Sequence, residues 1–461
     1  MPPDRPPAAQ ATVDPGHVAK LIERERAAYA EQHPSSRQAF AEAGANLLGG
    51  VPMTWMRMWP GGFPLYLASA TGARLTDIDG HSYIDFCLGD TGAMAGHSPA
   101  AVRAAVAAQY GELGGATTML PTRDAAWVAA ELARRFGPTH WSFTLTATDA
   151  NRWAIRLARQ LTRRPKILVF SYCYHGSVDE AFIVAGPDGP HARAGNVGAP
   201  VDPRQTTRVA EFNDLAGLER ELAAGDVAAV LMEPALTNIG IVLPEPGYLD
   251  GVRELTRRHG SLLINDETHT FSAGPGGCTR AWSLDPDIVT IGKSIAGGIP
   301  AGAYGLSAGL AEQILNDETA DLIDVGGVGG TLAGNALSVA AMRATLEQVL
   351  TEAAFAAMTA RADRYTAGVR EVIESRALPW NIVQLGARAE YRFCPRPPRT
   401  GGESEAAADP QLDEYLHLYT VNRGVLLTPF HNMALMSPAT TEADVDAHTR
   451  IFAAAADDLL A

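Results

Sequence analysis

From about residue 95 onward, apolar positions fall into two alternating rhythms. Ala100 to Leu113 and Asp124 to Phe136 repeat at helical spacing and read as amphipathic helices. Short apolar runs of strand length follow: Trp141 to Leu145, Lys166 to Phe170, Ala228 to Met232, Leu262 to Glu267 and Asp287 to Lys293. Helical patterns at Asn151 to Thr162 and Gly247 to His259 stand between them. Strands alternating with helices predict an α/β fold, a mostly parallel sheet covered on both faces.

The two ends follow other patterns. Residues 1–15 are Pro-rich and read as a disordered tail. A helix is expected from about 16 to 48, with Val18, Leu21, Ile22 and Tyr29 on one face. Gly49 to Pro64 reads as an ordered loop, and Leu75 to Asp85, with Asp79-Gly80 inside it, as a hairpin. Beyond Gly334 a long helix is expected to Leu350 and on to about Ser375. Strands near Ile382 to Leu385 and Ala389 to Phe393 come next. A surface loop (Pro395 to Pro410), a helix (Leu412 to Asn422), a strand (Val425 to Leu427) and a last helix from Thr441 complete the chain. The expected division is a tail (1–15), an N-terminal segment (16–94), a large domain (95–335) and a smaller α+β unit (336–461).

Bulk properties remove several function classes. The 461 residues are 46% hydrophobic and 19% charged, with a net charge of -15. An acidic chain is a poor partner for nucleic acid or an anionic membrane. Four dispersed cysteines form no CxxC pair, which speaks against zinc fingers and disulfide frameworks. The N-terminus lacks the apolar core of a signal peptide. The apolar stretch Val227 to Leu243 is broken by Glu233, Pro234 and Asn238, so no bilayer span is expected. A cytoplasmic location is the expectation.

Two strand ends carry the candidate chemistry. One apolar run ends at Asp266, the next at Lys293. Residues at the carboxyl ends of strands face the ligand crevice of an open α/β sheet. An acid and an amine delivered there suit pyridoxal phosphate: lysine holds it as a Schiff base, and a carboxylate keeps its ring nitrogen protonated. Taken alone, Lys293 also reads as a surface residue past the sheet and Asp266 as a cap. A third element, Thr144-Leu145-Thr146-Ala147-Thr148-Asp149, leads from a strand into a helix start, where amides and dipole favour an anion. It reads equally as a plain N-cap. Tyr174-His175-Gly176, after another strand, offers an aromatic face to a planar ring, or simply fills the core. Gly326 to Asn335 lacks GxGxxG spacing and reads as a turn placing Thr331 before a helix.

These segments, in this order, resemble the class III pyridoxal phosphate aminotransferases of fold type I. The nearest resemblance is to the glutamate semialdehyde aminomutase and β-amino acid aminotransferase branch. Matching stretches include Leu75 to Gly80, Gly96 to Pro99, Tyr174-His175-Gly176, Glu233-Pro234 with Asn238, Asp266-Glu267, Gly292-Lys293 with Gly297 to Pro300, and Gly330-Thr331-Leu332 with Gly334-Asn335. The resemblance implies a seven-stranded, mostly parallel sheet in a large domain, plus a small α+β domain built from both termini. It implies catalytic roles for Lys293 and Asp266. It implies cofactor contacts from Ala147, Thr148, Tyr174, His175 and Asn238; His269 is a further candidate contact, for the ring's 3-oxygen or the substrate. Thr331 would come from the partner subunit, so a homodimer with shared sites is implied.

The departures sit beside the strongest matches. Ala147 stands where the family has glycine, Thr268 where it has valine, and His269 where glutamine or methionine is common. The arginines that β-amino acid relatives use near Met53 and Phe430 are absent; Arg57 is the nearby substitute. Trp55 and Phe430 are candidate substrate contacts that would favour a hydrophobic donor. The main expectation is an aminotransferase moving an amino group from an amine or non-α amino acid to a keto acid. The alternatives are an aminomutase or racemase acting on one substrate, or a regulatory protein on the same scaffold.

Overall fold

The computed structural model describes residues 11–198, 202–316 and 330–461. Residues 1–10 of the expected tail and glycines 326, 327 and 329 lie outside them. Within the described part of that tail, the Ala11 amide donates to Ala377 O at 2.9 Å.

The central sheet has seven strands: β1 (His140–Thr144), β2 (Lys166–Phe170), β3 (Thr207–Ala210), β4 (Val227–Met232), β5 (Leu262–Asp266), β6 (Ile288–Ile291) and β7 (Gly302–Leu306). Their order is β1-β7-β6-β5-β4-β2-β3. β7 runs antiparallel to both neighbours; every other pairing is parallel. All six residues of β4 are buried, which is why it reads as one apolar run. The hydrophobic pattern misses β3 and β7. β3 is a short edge strand. β7 holds two glycines because it nests against β1: a Cβ at Gly302 would lie 2.5 Å from Thr144 Oγ1.

The expected helix over 16–48 is two helices, Pro15–Gln32 and Pro34–Ala43. Pro34 cannot continue the first helix and forces His33 out of helical geometry. The expected helix over 334–375 also divides. Ala336–Ala344 passes into a π-turn, Thr345–Val349, and a new helix runs Glu352–Ser375. The buried Arg135 guanidinium ends the first part by donating to the carbonyls of Leu346 (2.7 Å) and Leu350 (3.0 Å). The expected loop over 395–410 contains a short helix, Gly401–Ala406, capped by Thr400.

Both ends of the chain meet beside the large sheet. The strands Leu67–Thr71, Arg74–Asp77 and Ser82–Asp85 form a hairpin sheet completed by Val425–Leu426, parallel to Ser82–Asp85. Asn381–Leu385, Arg388–Arg392 and Met433–Leu435 form a second small sheet, which sends Arg388 toward the large one.

Candidate active site

β5 and β6 run side by side, with Asp266 in register with Thr290. The two chemical residues of the sequence analysis therefore leave the sheet at the same edge. Lys293 lies just past β6 in left-handed backbone, at φ 51°. A non-glycine residue there is uncommon, and such strain gathers at functional sites. Gly292 before it passes close to the helix Ala147–Thr162: a Cβ at Gly292 would meet Ala147 N at 2.8 Å and Ala147 Cβ at 2.9 Å. The Ala147 methyl thus faces Gly292, a place only glycine leaves open.

Asp266 is buried and well partnered. Its Oδ2 accepts from Asn151 Nδ2 (2.7 Å) and faces His175 Nδ1 (2.9 Å); its Oδ1 accepts from the Thr268 amide (3.0 Å). Burial alone would push Asp266 up, but His175, Thr268 and Asn151 pull it below its ordinary value. Burial would push the His175 imidazole down, and Cys173 and Asp266 hold it well above its ordinary value. The result is a buried, ionised carboxylate with acceptor capacity left on Oδ1.

The neighbouring corner is built to receive an anion. Thr146 caps the helix by accepting from the Asp149 amide, and the amides of Ala147 and Thr148 open the first turn. Thr148 Oγ1 accepts from Ser177 N at 3.2 Å. Gly176, at φ 74°, leaves room for that hydroxyl; a Cβ there would lie 2.0 Å from it. Tyr174 stands partly open beside this corner, its amide donating to the buried Glu233 Oε1 at 3.3 Å. Burial raises Glu233 above its usual range, and Thr237 donates to its other oxygen.

Lys293 meets one expected residue, His269, and others that the sequence reading missed. Its Nζ lies 2.8 Å from Asp90 Oδ2, 3.0 Å from Asp90 O and 2.7 Å from His269 Nε2. On the far side of that ring, Arg388 donates to His269 Nδ1 at 3.1 Å and also to Thr91 Oγ1. Asp90 and Thr91 belong to a run of left-handed residues, Leu88, Gly89, Asp90 and Thr91, with φ of 45°, 58°, 48° and 80°. Each non-glycine member costs roughly 1–2 kcal/mol. The turn is anchored by Asp85 Oδ1, which accepts from the amides of Cys87 and Leu88. Gly89-Asp90-Thr91-Gly92 is the available sequence signal. Arg388 leaves none, because its strand lies far along the chain.

The remaining expected residues are more scattered. Asn238 is half-buried in the turn bridged by Leu236 and Val242. Thr331 is exposed, ahead of the helix Ala336–Ala344. Trp55 and Phe430 meet edge to face, ring centroids 5.8 Å apart. Phe430 also lines a cleft of about 650 Å³ with Met58, Trp59 and His417. Arg57 is exposed and its side chain lies along Gly49. Among the described residues, no contact ties it to the Lys293 cluster.

Residues 58–455 match the family model for class III aminotransferases. The chain belongs to the class III aminotransferases. Among curated members, the glutamate-1-semialdehyde 2,1-aminomutase of Desulfitobacterium hafniense strain Y51 is 34% identical over 432 residues, 90% of this chain and 96% of that protein. Among solved structures, a glutamate-1-semialdehyde aminomutase from Pseudomonas aeruginosa PAO1 superposes with a TM-score of 0.94 at 50% identity, covering 97% of this chain and 99% of that one. An ω-transaminase from Sphaerobacter thermophilus superposes at 0.83 with 29% identity, over 92% of this chain and 98% of that one. The fold is therefore fold type I, and the class III cofactor is pyridoxal 5'-phosphate. A lysine variant of the Pseudomonas protein was solved with PMP.

This chain's residues fit that cofactor. Asp266, held ionised, would suit a protonated ring nitrogen. The buried hydroxyl of Thr268 beside it has no partner among the described residues. Thr148 Oγ1, packed over Gly176, lies in the first turn of the helix start suited to phosphate. Among the described residues, no helix is long and apolar enough to cross a membrane.

Proposed function

We propose that this class III aminotransferase works as an aminomutase, moving an amino group between carbons of one small substrate. The observation that carries the reading is its likeness to aminomutases over 96% of a curated relative's length. Glutamate-1-semialdehyde, named for those relatives, is the first substrate to test. This reading replaces the expectation of a separate donor and keto acid acceptor. Bound here, pyridoxal phosphate supplies an electron sink for the carbon that gives up its proton.

The chain's own residues supply the rest. Lys293 carries the amine that holds the cofactor and, once free, takes and returns the substrate proton. Asp266 keeps a negative charge opposite the ring nitrogen, fixed by His175, Asn151 and the Thr268 amide. Ala147 and Thr148 hold the phosphate through the start of their helix. Tyr174 offers a ring face. Asn238 and His269 would serve the ring's remaining polar edge. Thr331, exposed in this chain, completes the partner's site in a homodimer.

An aminotransferase for a hydrophobic donor is the second reading, favoured by the aromatic pair Trp55 and Phe430, with Arg57 as a carboxylate contact. One experiment separates the two. Holoenzyme is given glutamate-1-semialdehyde alone, or amines paired with keto acids. Turnover that needs no keto acid supports the aminomutase. Turnover only with a donor–acceptor pair supports the second reading.

A further inference from the structure

Half-buried Lys293 and buried His269 and Arg388 form a line in which one arrangement of protons satisfies every contact. Arg388 is buried and its guanidinium offers only donors. It donates to Thr91 Oγ1 and faces His269 Nδ1 at 3.1 Å. That nitrogen must therefore be bare. His269 is itself buried, and an imidazole with one bare nitrogen is neutral. A neutral imidazole has one N–H, which must then sit on Nε2.

The Nε2–H points at Lys293 Nζ, 2.7 Å away, so Nζ must accept. A neutral amine has one lone pair and two hydrogens. The lone pair takes the His269 N–H; the hydrogens go to Asp90 O at 3.0 Å and Asp90 Oδ2 at 2.8 Å. An ammonium has no lone pair to offer. It would need His269 to carry its proton on Nδ1, setting two donors face to face at 3.1 Å in a buried place.

We propose that Arg388 and His269 are positioning residues that hold Lys293, whenever it is free of cofactor, as the neutral, nucleophilic amine. The inference rests on reading Lys293 as the cofactor lysine. It also gives His269, unusual for the family at this position, a task that glutamine can perform. A glutamine carbonyl accepts from Arg388 while its amide N–H donates to Lys293. Methionine offers neither.

The test uses the apoprotein, with thermal unfolding to confirm that each variant folds. Nitrogen NMR of histidine-labelled protein, with His269 assigned by its loss in His269→Gln, should show Nδ1 bare and Nε2 protonated. Labelling of Lys293 by trinitrobenzenesulfonate at pH 7, located by peptide mass, should be about equal in wild type and His269→Gln. It should be about tenfold slower in His269→Met, where the nucleophile is no longer held neutral. The His269→Met variant keeps the Arg388 charge, so a purely electrostatic role for Arg388 would leave its labelling fast. Fast labelling of that variant, or a His269 protonated on Nδ1, overturns the proposal. Borohydride reduction of reconstituted protein tests the underlying reading separately. A pyridoxyl group found away from Lys293 overturns the cofactor assignment while leaving the NMR result to stand alone.

Discussion

Replacing Gly176 with alanine tests the phosphate corner through a single methyl group. The new Cβ would lie 2.0 Å from Thr148 Oγ1, 2.9 Å from Thr148 Cβ and 3.1 Å from Thr148 Cα. Turning the Thr148 side chain relieves only the first contact, and a β-branched residue in a helix has few rotamers to turn to. The first turn of the helix must therefore shift. Overpacking of this kind costs about 1–3 kcal/mol. Alanine at φ 74° adds about 1 kcal/mol. If about 1.4 kcal/mol of that total falls on the phosphate grip, pyridoxal phosphate binds about tenfold more weakly. Gly189 is the control: it has φ 100° and, among the described residues, nothing within 4 Å of an added Cβ, so Gly189→Ala carries the backbone strain alone. The assay is titration of apoprotein with pyridoxal phosphate, followed by absorbance, beside thermal unfolding of each variant. Gly189→Ala should bind like wild type. A Gly176→Ala protein that also binds like wild type would refute the placement of phosphate at Thr148.

Three further substitutions probe the surroundings. Glu267 is buried and accepts from Thr270 Oγ1, the Cys278 amide, and the Thr279 amide and hydroxyl. Glu267→Gln turns an N–H toward those donors and should lower stability by about 2–3 kcal/mol, measured by denaturant unfolding, while the cofactor band stays. Asn151→Leu strips a donor from Asp266 and an acceptor from Thr290, which donates to it at 2.6 Å. It should lower stability by a similar amount and weaken cofactor binding as well, measured by denaturant unfolding and cofactor titration. His448 is packed among Phe86, Tyr365 and Phe452, and burial holds it down to about 3. Its folded value lies below the unfolded one, so protons bind the unfolded chain first and stability falls as pH drops from about 6.5 toward 3. The loss approaches about 1.4 kcal/mol per pH unit. His448→Phe should flatten the pH dependence of Tm between pH 7 and 5, and an unchanged slope would contradict the reasoning.

The parts of this protein legible in its sequence are those whose chemistry is local. β4 and β5 announce themselves because buried parallel strands are continuous apolar runs. The placement of Lys293 and Asp266 at one sheet edge follows from strand ends alone. β7 stayed hidden because its glycines, needed for close approach to β1, look like loop. The helix breaks were half visible: Pro34 is a local stop, whereas the end at Leu350 depends on Arg135 reaching over from a distant helix. At the site, His269 was visible as a departure, but its meaning was not. That meaning depends on Asp90, in a left-handed turn, and Arg388, on a strand of the small sheet. Asp90 reaches Lys293 and Arg388 reaches His269 across long stretches of chain, and no spacing rule connects them.

The most direct test of the account is turnover of a single substrate. Holoenzyme is mixed with glutamate-1-semialdehyde and no keto acid, and the isomer with its amino group moved to C1 is measured by mass and NMR. The account predicts complete conversion in wild type and none in Lys293→Ala. A wild-type protein that leaves the compound unchanged until a keto acid is added would contradict it.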